Sequence, residues 1–147
     1  MEQNLAMEIM AQGNAWSVAV LTAVCREFKI DKGEDIYPHI AGAFAGGIGN
    51  TGSVCGAVIG AVMAIGLKLG QKGTLEETLR NLTVAGDFRR RFEKEVGSIT
   101  CRELTGLDLT TDEGVNQLIE SDISQSVCFP AVGKAFRITM DLLKERT

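Results

Sequence analysis

From Val54 to Leu67 the chain is apolar at almost every position, with Gly56, Gly60 and Gly66 set among Val, Ile, Ala and Leu. The run is shorter than the ~20 residues that cross a bilayer, so no membrane span is expected. A helix that is apolar nearly all round belongs in the middle of a protein, with other helices around it. The pattern predicts such a helix over 53–69, and the rest of the chain must supply its shell. Gly56 and Gly60, one turn apart, expose bare backbone to a close neighbour. That neighbour is a crossing helix of the same fold, a second copy in a homodimer, or a cofactor.

The flanking sequence supplies helices. One helical region is expected over 2–28, broken near Gly13-Asn14, with Trp16, Val20, Ala23 and Val24 on one face. The turn Ile30-Asp31-Lys32-Gly33 ends it, and a short helix over 36–44 leads to the loop Gly46-Gly47-Ile48-Gly49-Asn50-Thr51-Gly52. Thr74 and Glu77 have capping-box spacing at the head of a long helix. Leu75, Leu79, Leu82, Phe88, Phe92 and Val96 are its expected inward residues, and Gly97 its C-terminal cap. Thr100-Cys101-Arg102-Glu103 reads as a second box before a short helix stopped by Gly106, and Thr110-Thr111-Asp112-Glu113 as a third, before a helix through Ile119. The last helix is expected from Pro130, which suits a first turn, with Val132, Phe136, Met140 and Leu143 inward. No segment alternates with the period of a strand. The expected fold is all-α: one domain over 1–147, a bundle of about five to seven helices around the Gly-rich one.

Several function classes fall away. The net charge of −4 gives no basic footprint for nucleic acid. Arg89-Arg90-Arg91, between Phe88 and Phe92, reads as a solvated helix face. The glycine loop lacks the Gly-Lys-Ser/Thr ending of a phosphate-binding loop, and no strand precedes it. His39, the one histidine, is expected to be exposed or hydrogen-bonded. Met1-Glu2-Gln3-Asn4 does not have the basic-then-apolar pattern of a secretory leader. The expected compartment is a reducing cytoplasm, where the four cysteines would serve as free thiols, ligands or redox couples.

Three of the cysteines fall at expected helix starts: Cys55 in the first turn after Ser53 or Thr51, Cys101 after Thr100, and Cys128 before Phe129-Pro130. Unpaired amides and the helix dipole favour a thiolate there. Cys25 lies late in its helix, where the dipole opposes a thiolate, and reads as a small buried apolar residue. No Cys-x-x-Cys pair is present, so a metal site would have to be assembled from distant segments.

The segment Gly46 to Gly49, then Cys55-Gly56-Ala57-Val58-Ile59-Gly60-Ala61 and Met63 to Leu67, resembles the hallmark of the redox-active CGAxxG proteins, the C_GCAxxG_C_C family. Phe92 to Leu104, around Cys101, is similar to the family's third cysteine segment, and Cys128 with its following helix to the fourth. The family's first cysteine belongs in an Asn-Cys-Ala context before a Val-Leu run. Here Gly13-Asn14-Ala15-Trp16-Ser17 stands in that place without it.

The resemblance implies a small helical redox protein. Cys55, Cys101 and Cys128 are the candidate catalytic residues and the candidate metal ligands, for a thiolate-bound metal or an iron–sulfur cluster. Gly47, Gly49, Gly56 and Gly60 are the candidate cofactor-binding positions. The expected partner is a redox protein or a small molecule. The contrasting expectation is a structural or oligomerisation protein whose cysteines are core residues.

Overall fold

A computed structural model describes residues 4–30, 33–70 and 72–146. The expected starts and turns at Glu2, Asp31 and Lys32 lie outside them. The described residues form no strand, and the fold is the expected all-α bundle. Its helices are α1 (Leu5–Ala11), α2 (Trp16–Glu27), α3 (Tyr37–Ala41), the distorted turn α4 (Ala45–Ile48), α5 (Gly56–Leu69), α6 (Leu75–Val96), α7 (Cys101–Thr105), α8 (Asp112–Glu120) and α9 (Phe129–Glu145).

At the centre α5 packs on α2, α6 and α9, while α2 also meets α1 and α9. The closest approach is between α2 and α5. A Cβ on Gly60 would stand 2.3 Å from the Ser17 carbonyl oxygen, and one on Gly56 would be 3.3 Å from the Ser17 nitrogen. The two glycines therefore serve a crossing within the chain, and α2 takes the place that a second copy or a cofactor would need. Ser17, buried at this contact, satisfies its hydroxyl by donating to the Ala41 carbonyl at 2.6 Å. The burial of α2 exceeds the expected single face: every residue from Ser17 to Cys25 is buried. One edge of α5, at Val62, reaches solvent instead.

The capping box at Thr74 and Glu77 is present in full, and Gly97 caps α6 with a left-handed backbone. The expected inward stripe of α6 is corrected. Leu75, Leu79 and Leu82 are 74%, 56% and 65% exposed, while Val84, Phe88 and Phe92 are buried. At ~100° per residue, Leu82 stands about 200° from Val84, so the leucines and the aromatic stripe occupy opposite faces. Phe88 and Phe92 stack with centroids 5.7 Å apart, and Val96 is half-buried. Arg89, Arg90 and Arg91 are exposed and pair with Glu93, Asp87 and Glu145.

Two more starts differ from expectation. The cap of α8 is Thr111, which accepts from the Gly114 amide, while the Thr110 hydroxyl bonds to Asp108. The box at Thr100 is half formed: Thr100 accepts from the Glu103 amide, but the Glu103 carboxylate accepts from Ser98. Ser98 in turn accepts from the Thr100 amide.

The glycine loop is wound left-handed. Gly46, Gly47, Ile48, Gly49 and Asn50 have φ of 69°, 75°, 61°, 63° and 61°. Glycine takes this conformation freely, whereas an L-residue is strained there by roughly 1–2 kcal/mol. Ile48 carries that strain while 44% exposed, so little burial compensates it.

Ile48→Gly is expected to raise stability by about 1 kcal/mol, read as a higher urea midpoint. Gly60→Ala should do the reverse, because the new methyl meets Ser17 backbone rather than a movable side chain. A loss of about 2–3 kcal/mol is expected, measured as the thermal midpoint against wild type.

Candidate functional site

The glycine loop and the start of α7 are held together by a single antiparallel bridge, Val54 to Thr100. The Cys55 amide donates to the Ile99 carbonyl at 2.7 Å, and the Cys101 amide to the Ser53 carbonyl at 2.8 Å. The Arg102 amide donates to Gly52 at 3.2 Å. This register turns Cys55 and Cys101 to one face of the bridge and Val54 and Thr100 to the other. Their relation is diagonal, about 7–8 Å between Cα atoms in a regular ladder.

Cys128 comes from a third segment, ahead of α9. The expected free helix start at Pro130 is replaced by a π-helical turn, Ser124–Cys128, that runs straight into α9. Pro130 explains it. Its ring clashes with the carbonyl four residues back and it offers no amide, so the chain widens and the Phe129 amide bonds back to the Ser124 carbonyl instead.

The three cysteines meet in one small cavity of about 10 Å³, lined also by Trp16, Leu104 and Val127. That is room for about one water. Thr105 and Ala131 complete the wall, and the Thr105 hydroxyl is occupied by donating to the Cys101 carbonyl at 2.8 Å. Cys25 lies elsewhere, buried in the core beside the Tyr37 hydroxyl, and burial pushes its thiol pKa up. His39 is exposed on α3.

The expected thiolates are not what this cavity favours. Cys55, Cys101 and Cys128 are 4%, 1% and 4% exposed, and burial in apolar surroundings disfavours the charged form. It raises the Cys55 pKa despite the Ala57 and Val58 amides, which pull the other way. Cys101 is pushed up to about 11 by burial and by Cys55. Cys128 is pushed up to about 12 by burial and then by both other cysteines.

The helix-start argument fails for a local reason at two of them. The first amides of α7 are consumed by Ser53, Gly52 and Thr100. At Cys128 there is no free helix end. The sequence pattern identified the three cysteines but missed Trp16 as a wall of their cavity, reading it only as one residue of an apolar face.

The candidate cofactor glycines do not form a cradle. Ser17 fills the space at Gly56 and Gly60, and a Cβ on Gly47 would be 2.5 Å from the Ser53 nitrogen. Only Gly49 faces open space among the four. Among the described residues, no group of three or more His, Cys, Asp or Glu is arranged to hold a metal ion. No described helix is long and apolar enough to cross a membrane.

A family model described as "Putative redox-active protein (C_GCAxxG_C_C)" matches residues 17–142. The chain belongs to that family. Comparisons with curated proteins and with solved structures return no match. The family's printed pattern sets one cysteine ahead of the central motif and two after it. The cysteines that follow Cys55 in this chain are Cys101 and Cys128, and the match begins at Ser17, just past Ala15 and Trp16.

The raised pKa values fix a pH dependence. The unfolded chain releases thiol protons near pH 8.5, but the folded one holds those of Cys101 and Cys128 until about 11 and 12. Their contribution to stability is therefore complete below about pH 8.5 and is lost as the pH rises towards the folded values. Urea midpoints should fall between pH 9 and pH 11, and fall less steeply in a Cys101→Ser, Cys128→Ser variant. At pH 8, iodoacetamide should label these thiols at least ~100-fold more slowly than in the unfolded chain.

Proposed function

We propose that this family member is a thiol-based redox protein in which Cys55, Cys101 and Cys128 store two electrons. Two of the three thiols join as one disulfide and release two protons and two electrons to an acceptor. The carrying observation is the convergence of three cysteines, from three separate segments, on one buried apolar cavity from which Cys25 is set apart. Such a cavity favours the uncharged thiol and the uncharged disulfide alike over a thiolate. Membership of the family described as "Putative redox-active protein (C_GCAxxG_C_C)" supports the same reading.

A regular diagonal placement of Cys55 and Cys101, about 7–8 Å, lies beyond the ~4.4–6.8 Å usual between the Cα atoms of a disulfide. Closing that pair takes a small backbone shift. Cys128, which lines the same cavity, is the alternative partner for either of them.

Oxidation followed by unfolding and alkylation under acid quench tests the reading by mass. Wild-type protein should lose two thiols without dimerising, and Cys25 should stay fully alkylated. Peptide mapping should place the disulfide within Cys55, Cys101 and Cys128. A disulfide to Cys25, or no intramolecular disulfide at all, overturns it.

A further inference from the structure

Cys101 and Cys128 stand at the two ends of one excursion from the bundle. Of residues 102–127, which carry α7, α8 and most of the Ser124–Cys128 turn, only Thr105, Leu109 and Gly114 are buried. Gly114 is covered by its own segment, since a Cβ there would stand 1.8 Å from the Asp108 carbonyl oxygen. Among the described residues, 103–127 enter no ion pair. Their hydrogen bonds all stay within five residues along the chain. The last main-chain tie to the bundle is the Arg102 amide on Gly52. Yet both ends line one cavity, and α7 packs directly against the Ser124–Cys128 turn.

Cys55 and Cys128 head the core helices α5 and α9, so joining them would shift the core. Cys101 heads a helix of five residues at the edge of it and moves at less cost. Resting on the redox reading above, we propose that the disulfide joins Cys101 to Cys128 and clasps the base of the excursion. Reduced, residues 103–127 are held by packing and local bonds alone. Oxidised, the two ends are tied, and openings that part α7 from the turn lose most of their entropy. An added low-molecular-weight disulfide forms the clasp by exchange, reaching the sulfurs while the excursion is open. The Cys101 sulfur attacks it, one external thiol leaves, and the Cys128 sulfur then attacks the mixed disulfide at Cys101. A second external thiol leaves, so the two protons and two electrons lost by the chain end on two external thiols.

The test is amide hydrogen exchange on the full chain, reduced and after oxidation with glutathione disulfide, together with peptide mapping of the oxidised sample. Mapping should join Cys101 to Cys128. Exchange over 103–127 should slow at least ~10-fold on oxidation, with α1 changed less than ~2-fold. Cys101→Ser, treated alike, should show no slowing there; should that variant not fold, the wild-type comparison decides by itself. The clasp is overturned if the wild-type disulfide includes Cys55, if the Cys101–Cys128 disulfide forms without slowing the segment, or if Cys101→Ser slows as wild type does. Each of these leaves the redox reading standing, because an internal disulfide has formed among the three cavity cysteines. Absence of any such disulfide in the wild type overturns both.

Discussion

The contact of Ser17 with Gly56 and Gly60 sets the geometry of everything around it. At this crossing the backbones of α2 and α5 nearly touch, so the start of each helix is fixed relative to the other. Trp16 and Cys55 occupy those starts. The same crossing therefore builds the core and brings an indole and a thiol to one cavity. The hydroxyl of Ser17 is satisfied by Ala41, which ties α3 to the crossing without leaving a polar group unpaired in the core.

Beyond the crossing, the site is assembled by two local devices. The bridge at Val54 and Thr100 joins segments nearly fifty residues apart with two main-chain hydrogen bonds, and so holds Cys55 and Cys101 in register. The Ser124–Cys128 turn feeds the third sulfur in from α9. At Cys101 and Cys128 these devices use backbone groups that would otherwise act on the sulfurs, and at Cys55 burial outweighs the Ala57 and Val58 amides. Burial therefore keeps the three thiols in their neutral form.

Much of this was legible in the residues. The Gly-rich apolar run announced a central helix, Thr74 and Glu77 marked the start of α6, and Cys55, Cys101 and Cys128 were separated from Cys25 by helix position alone. The errors have physical causes. Leu75, Leu79 and Leu82 have helical spacing among themselves, but so do Val84, Phe88 and Phe92; a period does not say which of two apolar stripes faces the core. A dipole argument counts helix starts, yet cannot see that Ser53 and Gly52 take the amides of α7. Trp16 belonged to a patterned apolar face, and only the tertiary fold turns it onto the sulfurs.

The π-helical turn before α9 also sets a rule about length. It contains one residue more than an α-helical turn would use to cover the same path. Deleting any one of Ser124 to Val127 would remove the residue that accommodates Pro130 and turn the chain before it by about 100° relative to α9. Cys128 would keep its identity and lose its direction relative to that chain. In this stretch the number of residues is as constrained as the cysteine itself, so tolerated changes should be exchanges of side chain rather than insertions or deletions.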